Sequence, residues 1–190
     1  ASTHPGEEAV VADAVSALLK AHRELCLILV PRHAERATEA EGELNRVGIG
    51  SLRLTTLRDG GGGDRGTRAV VVDTTGDLMA VLALSDIVFV GKTLAGNTGG
   101  HNIIEPAVFG RAIIFGPHME NFRRVSQIFK DAAAAIELKS ESDLEKVLKK
   151  LLEDGTERER LGKAARQTVE RHRGATGVTI ARLDSLLPEN

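Results

Sequence analysis

Short apolar runs recur along this chain, spaced so that one helix fits between successive runs. They read LCLILV at Leu25–Val30, LRLTTL at Leu52–Leu57, AVVVD at Ala69–Asp73, IVFV at Ile87–Val90, AIIF at Ala112–Phe115 and AIEL at Ala135–Leu138. A continuous run such as LCLILV, ended by Pro31, suits a strand covered on both faces, as in a parallel sheet. The intervening segments carry helical spacing. Residues 7–22 place Val11, Val15, Leu18 and Leu19 on one stripe. Further helices are expected at 34–46, 76–84, Ile103–Phe109 and 121–133, and then at 142–153, 156–172 and 175–187. Asp59–Asp64, DGGGGD, is a flexible loop. This order predicts an α/β fold: a doubly wound, Rossmann-like parallel sheet with a helical C-terminal tail. Residues 1–190 read as one domain. A strand is expected ahead of the loop in which Ala1 lies, so the chain reads as part of a longer protein.

Composition removes several classes of function. With 25 basic and 27 acidic residues, and neither Trp nor Tyr, the chain has neither the basic excess nor the stacking platforms of a nucleic-acid binder. The single Cys26 lies in an apolar run and reads as a buried core thiol in a reducing compartment. No apolar run approaches the ~18 residues of a spanning helix, and no signal peptide is visible. The six His are scattered without metal-ligand spacing, and neither GxGxxG after a strand nor GxSxG occurs. No metal and no cofactor are therefore expected.

Four segments at strand ends carry the polar and glycine-rich sequence. Gly99-Gly100-His101-Asn102 follows the IVFV strand and its loop and leads into a helix that bears Glu105. Small residues there let a ligand approach the backbone, and free N–H groups favour phosphate. Glu105 suits a ribose diol. The plainer reading is a turn and a carboxylate placed for the helix dipole. Pro31-Arg32-His33 directly follows LCLILV, where ligands collect in doubly wound sheets. Arg32 can grip a phosphate or carboxylate with two prongs, or be a surface arginine. Ser2, Thr3, His4 and Gly6 form a second loop that enters a helix, either an anion site or a plain N-cap. His118 follows AIIF, as a ligand contact or as an ordinary loop residue.

Together these segments resemble a known family. STHPGEE (Ser2–Glu8), LILVPRHAER (Leu27–Arg36), VVVDTTGDL (Val70–Leu78), SDIVFVGKTL (Ser85–Leu94), GGHNIIEPAVFG (Gly99–Gly110) and IIFGPHMENF (Ile113–Phe122) stand in the order and spacing of the C-terminal half of the Kdo (3-deoxy-D-manno-octulosonic acid) transferases. The resemblance covers about residues 1–125 strongly and the helical tail more loosely. It implies the C-terminal half of a GT-B glycosyltransferase that binds the donor CMP-Kdo without a metal. The donor-binding set would be Ser2, Thr3, His4, Gly6, Arg32, His33, Gly99, Gly100, His101, Asn102, Glu105 and His118. The acceptor site for the lipid A precursor and a glutamate general base would lie on an N-terminal domain. This part alone would then be soluble and inactive, and the whole protein would work in lipopolysaccharide biosynthesis on the cytoplasmic face of the bacterial inner membrane.

Two positions depart from the family pattern. Gly91–Thr98 reads GKTLAGNT where a small, polar run is usual, so Lys92 closes on the donor or points to solvent. Ile103 replaces a proline and leaves a helix-start N–H available. Two other readings compete: a GT-B enzyme using a UDP-sugar, and a nucleotide-binding module without catalysis.

Overall fold

The computed structural model describes residues 1–64 and 66–172. Six strands alternate with helices: β1 Leu27–Leu29, β2 Gly50–Arg53, β3 Thr67–Val71, β4 Ile87–Val90, β5 Ala112–Phe115 and β6 Ile136–Glu137. Every pairing is parallel. The strands form two three-stranded sheets, ordered β1-β3-β2 and β4-β5-β6. The helices are α1 Glu7–Leu19, α2 Ala37–Arg46, α3 Leu54–Arg58, α4 Leu78–Leu84, α5 Ile104–Val108, α6 Arg123–Asp131, α7 Asp143–Glu153 and α8 Gly155–His172. The expected helix at 175–187 lies outside the described residues.

Side chains alternate across each strand, and the alternation divides the core. Leu29, Val71, Phe89 and Ile114 point to one face, against Val11 and Val15 of α1, Leu44 of α2 and Leu144 of α7. Val88, Val90, Ile113 and Phe115 point to the other, against Leu82 of α4, Ala107 of α5, Phe129 of α6 and Ala165 of α8. Helices thus cover both faces, as the doubly wound reading expects. Ile113, Ile114 and Phe115 are fully enclosed. Each of these three side chains contributes roughly 1.5–3 kcal/mol by leaving water.

Two sequence expectations need correction. Leu52–Leu57 is not one strand: β2 ends at Arg53 and α3 begins at Leu54. Asp73, just past β3, accepts the Thr55 backbone N–H at 3.1 Å and the Thr55 hydroxyl at 2.5 Å. That carboxylate holds the helix start and overrides the strand preference of the two threonines. Nor is Cys26 a core thiol; it is exposed. Leu27 and Ile28 are only half-buried, so LCLILV is covered on both faces only at Leu29 and Val30. Among the described residues β1 pairs along one edge only, with β3.

Candidate functional site

The segment Ala1–Thr3 lies between the two sheets at their carboxyl ends. Ala1 donates to the Phe89 carbonyl and accepts from Gly91 N–H at 2.9 Å. Thr3 donates to the Val30 carbonyl at 3.1 Å and accepts from Arg32 N–H at 2.9 Å. Gly91 permits this passage, since a Cβ there would lie 2.8 Å from the Thr3 Cα and closer still to the Ser2 carbonyl. The chain then enters α1 through Gly6. Here, between β1 and β4, the strand order reverses. Parallel α/β sheets open their ligand crevice at such a point.

Glu7 locks the rim of the crevice. Its buried carboxylate accepts N–H groups from Lys92 at 2.7 Å, Thr93 at 2.8 Å and Leu94 at 3.0 Å, and the His4 N–H at 2.9 Å. The loop after β4 is thereby tied to the loop before α1. Glu8, also buried, pairs with Arg36 through two nitrogens at 2.7 and 3.3 Å. That pair holds the turn after Arg32 against α1. Sequence reading did not single out Glu7, Glu8 or Arg36. Two glutamates at a helix start ordinarily signal only the dipole, and nothing local marks them as buried.

On this frame His4 and His101, 97 residues apart in sequence, meet with their Nε2 atoms 3.0 Å apart and their rings stacked at 5.2 Å. Burial, helped by the neighbouring His4, Arg32 and Lys92, lowers the His101 pKa to about 4. Burial also lowers His4, against the opposing pull of Glu7. Both rings are therefore neutral at pH 7. One Nε2 donates to the other, and the accepting ring carries its proton on Nδ1. The pair thus keeps an N–H free for a ligand beside two cations, Arg32 and Lys92.

The remaining predicted residues fall around this pair. Gly99 donates to Glu120 Oε2 at 2.7 Å, and Glu120 Oε1 meets His118 Nδ1 at 3.2 Å. His118 is thereby brought to the Gly99 turn. Gly100 N–H bonds the Lys92 carbonyl at 2.9 Å, at φ +70°, and any Cβ there would collide with the Met119 sulfur. Asn102 is turned inward on its own helix. Its amide donates to Glu105 Oε1 at 3.2 Å, and its oxygen accepts the Ile104 N–H at 3.0 Å. The start of α5 is thus partly self-capped, and Ile103 rather than Ile104 keeps its N–H free among the described residues. Ser2 takes φ 56°, and the Thr3 hydroxyl is buried with no partner. Arg32 and His33 are exposed, and their side chains make no hydrogen bond among the described residues. Lys92 takes φ 63° and keeps its side chain half-buried, close enough to act on both imidazoles. No group of three or more His, Cys, Asp or Glu suited to a metal occurs among the described residues.

Parallel strands, helices on both faces and a polar crevice at the reversal point define a Rossmann-like α/β domain. No family model matches the chain. A 3-deoxy-D-manno-octulosonic acid transferase of Haemophilus influenzae is 34% identical, over 100% of this chain and 44% of the relative. Its counterpart in Bordetella pertussis is 33% identical, over 98% of this chain and 44% of the relative. Among solved structures, the C-terminal CMP-Kdo binding domain of WaaA from Acinetobacter baumannii superposes with a TM-score of 0.80 at 29% identity. The match covers 88% of this chain and 86% of that one. A C-terminal glycosyl transferase domain, LpcC of Francisella tularensis, shares the fold alone, with a TM-score of 0.60 at 14% identity. The chain belongs to the 3-deoxy-D-manno-octulosonic acid transferase family and matches the C-terminal part of it. It spans less than half the length of those two transferases.

Proposed function

We propose that this chain is the donor-binding part of a glycosyltransferase that moves Kdo from CMP-Kdo to a lipid A precursor. The observation that carries the reading is the His4–His101 pair at the crevice, flanked by Arg32 and Lys92. Breaking the bond between phosphate and sugar leaves negative charge on CMP. Fixed donors that stabilise that charge are the main contribution a protein can make. Here they are the free imidazole N–H of the histidine pair, the Arg32 guanidinium and the Lys92 ammonium. Glu105, held by Asn102, accepts the ribose hydroxyls. Gly99 and Gly100 allow the nucleotide close to the backbone. Ser2, Thr3 and Gly6 shape the wall opposite, and His33 and His118 flank the opening. No step in this reading draws on a metal. The acceptor site and the general base belong to a further domain, and the whole enzyme works at the cytoplasmic face of the bacterial inner membrane. Among the described residues no helix is long and apolar enough to cross a membrane.

The test is calorimetric titration of CMP, cytidine and UMP. CMP binds more tightly than UMP. Glu105→Ala removes charge-assisted bonds worth about 1.5–3 kcal/mol, roughly ten- to hundredfold in affinity. Arg32→Ala weakens CMP and leaves cytidine almost unchanged, because only the phosphate uses that charge. If both variants bind CMP like the parent, the nucleotide does not sit here. If UMP binds as well as CMP, the donor is not a cytidine nucleotide.

A further inference from the structure

Glu7 stands in the first turn of α1 and is fully enclosed. Its two carboxylate oxygens accept two N–H groups each: Oε1 from Thr93 and Leu94, and Oε2 from Lys92 and His4. Four charge-assisted bonds saturate a carboxylate, so Glu7 has no acceptor position left for a ligand. Whatever it does for the crevice, it does through the groups it holds. Two glycines make room for it. A Cβ on Gly91 would lie 2.9 Å from Glu7 Oε2, and one on Gly6 would lie 3.0 Å from the Ala95 Cβ. From Oε2 the contacts close into a ring. The Lys92 carbonyl accepts the Gly100 N–H at 2.9 Å. Gly100 leads directly into His101, and His101 Nε2 meets His4 Nε2 at 3.0 Å. The His4 N–H returns to Glu7 at 2.9 Å. Within this ring Lys92 is held at φ 63°, a left-handed backbone that is costly for lysine and free for glycine. Its side chain is half-buried and makes no hydrogen bond or ion pair among the described residues. Glu8 closes no such ring; it pairs with Arg36.

We infer that Glu7 is a positioning residue for the crevice: by closing this ring it sets His4 against His101 and holds Lys92 beside them for an anionic ligand. For the nucleotide this rests on the donor-binding reading above; the arrangement of the two imidazoles does not. A clamp and a mere charge at Glu7 act differently on the pair. Burial is the largest cause of the lowered pKa of both rings. The charged groups facing His4 are Glu7, Lys92, His33 and Arg36. Those facing His101, besides His4 itself, are Arg32, Lys92 and the Ala1 amino group. As a charge, Glu7 pulls His4 upward, so losing the charge alone lowers His4 further. As a clamp, Glu7 keeps the rings together and away from water, so losing the clamp lets water reach His101 and raises it. The two roles read out on different histidines and in opposite directions.

The experiment compares the parent chain with Glu7→Gln and Glu8→Gln. Imidazole titration is followed by nitrogen-15 NMR without nucleotide, and CMP and cytidine are titrated by calorimetry. Glu7→Gln keeps the shape but offers a single acceptor oxygen, so one pair of N–H groups loses its partner. The His101 midpoint then rises from about 4 toward 6.5. CMP binds at least tenfold more weakly, while cytidine changes less than about threefold, because only the phosphate uses the clamped groups. Glu8→Gln, which opens a buried ion pair on the same helical turn, leaves the His101 midpoint where it is in the parent. An unmoved His101 midpoint in folded Glu7→Gln overturns the inference. So does an equal rise in Glu8→Gln, which is general loosening of α1, and so does a raised midpoint with unchanged CMP affinity. If the parent itself does not bind CMP, the donor reading fails, and the histidine midpoints still decide the role of Glu7. Should Glu7→Gln not fold, amide exchange in the nucleotide-free parent decides. The Lys92, Thr93 and Leu94 amides exchange as slowly as Ile114 in β5; fast exchange at these three overturns the inference.

Discussion

The top and the bottom of the gap between β1 and β4 are opposites. At the top, buried polar groups knit the crossing loops together, and Glu7 alone satisfies four backbone donors. At the bottom, the same two strands end in apolar walls with unpaired edges, and Leu84 stands 78% exposed. The difference teaches where this fold keeps its geometry. The crevice holds its histidine pair through local hydrogen bonds, so it is preorganised whether or not the lower gap is filled.

That contrast can be broken most forcefully at Glu7. Glu7→Ala leaves the Lys92, Thr93 and Leu94 amides buried without their acceptor and costs about 3–5 kcal/mol. Urea denaturation measures it, and a loss under 1 kcal/mol would mean that the rim is held by something else. Gly100→Ala comes next. Left-handed backbone costs a non-glycine residue about 1–3 kcal/mol, and the new methyl must also displace Met119. The expected result is reduced stability together with weakened nucleotide binding, since Gly100 carries the turn before His101.

A smaller effect sharpens the account of the histidine pair. The folded chain holds His101 at about 4 against an ordinary 6.5, so it favours the neutral ring. The unfolded chain takes up the proton first as pH falls. This contribution is complete above about pH 6.5 and is lost between there and about pH 4. His4, also lowered, acts with the same sign. His101→Asn should flatten the fall in urea midpoint between pH 7 and pH 5; an unchanged slope would place the proton elsewhere. The smallest effect is expected at the open end: Leu84→Ala should change stability by no more than about 0.5 kcal/mol. A larger loss, read by thermal melting, would show that Leu84 is packed after all.

Much of this was legible in the linear chain. Apolar runs separated by helical stripes determine a parallel α/β sheet, because only strands covered on both faces tolerate such runs. Each of the six strands overlaps an expected run, but β2 shares only Leu52 and Arg53 with its run, because α3 begins at Leu54. The polar strand-end segments were legible for the same reason: carboxyl ends of strands meet on one side of such a sheet, which brings His4 to His101. What the chain by itself did not disclose depends on long-range partners. Asp73 turns two threonines from strand to helix, and Cys26 lies exposed at the end of an apolar run. Glu7 and Glu8 read as ordinary helix-start acids until the loop after β4 and Arg36 fold over them. Local pattern decides which face of an element is apolar. Whether a charged group is enclosed depends on segments far away in sequence, and only the tertiary structure brings those to the same place.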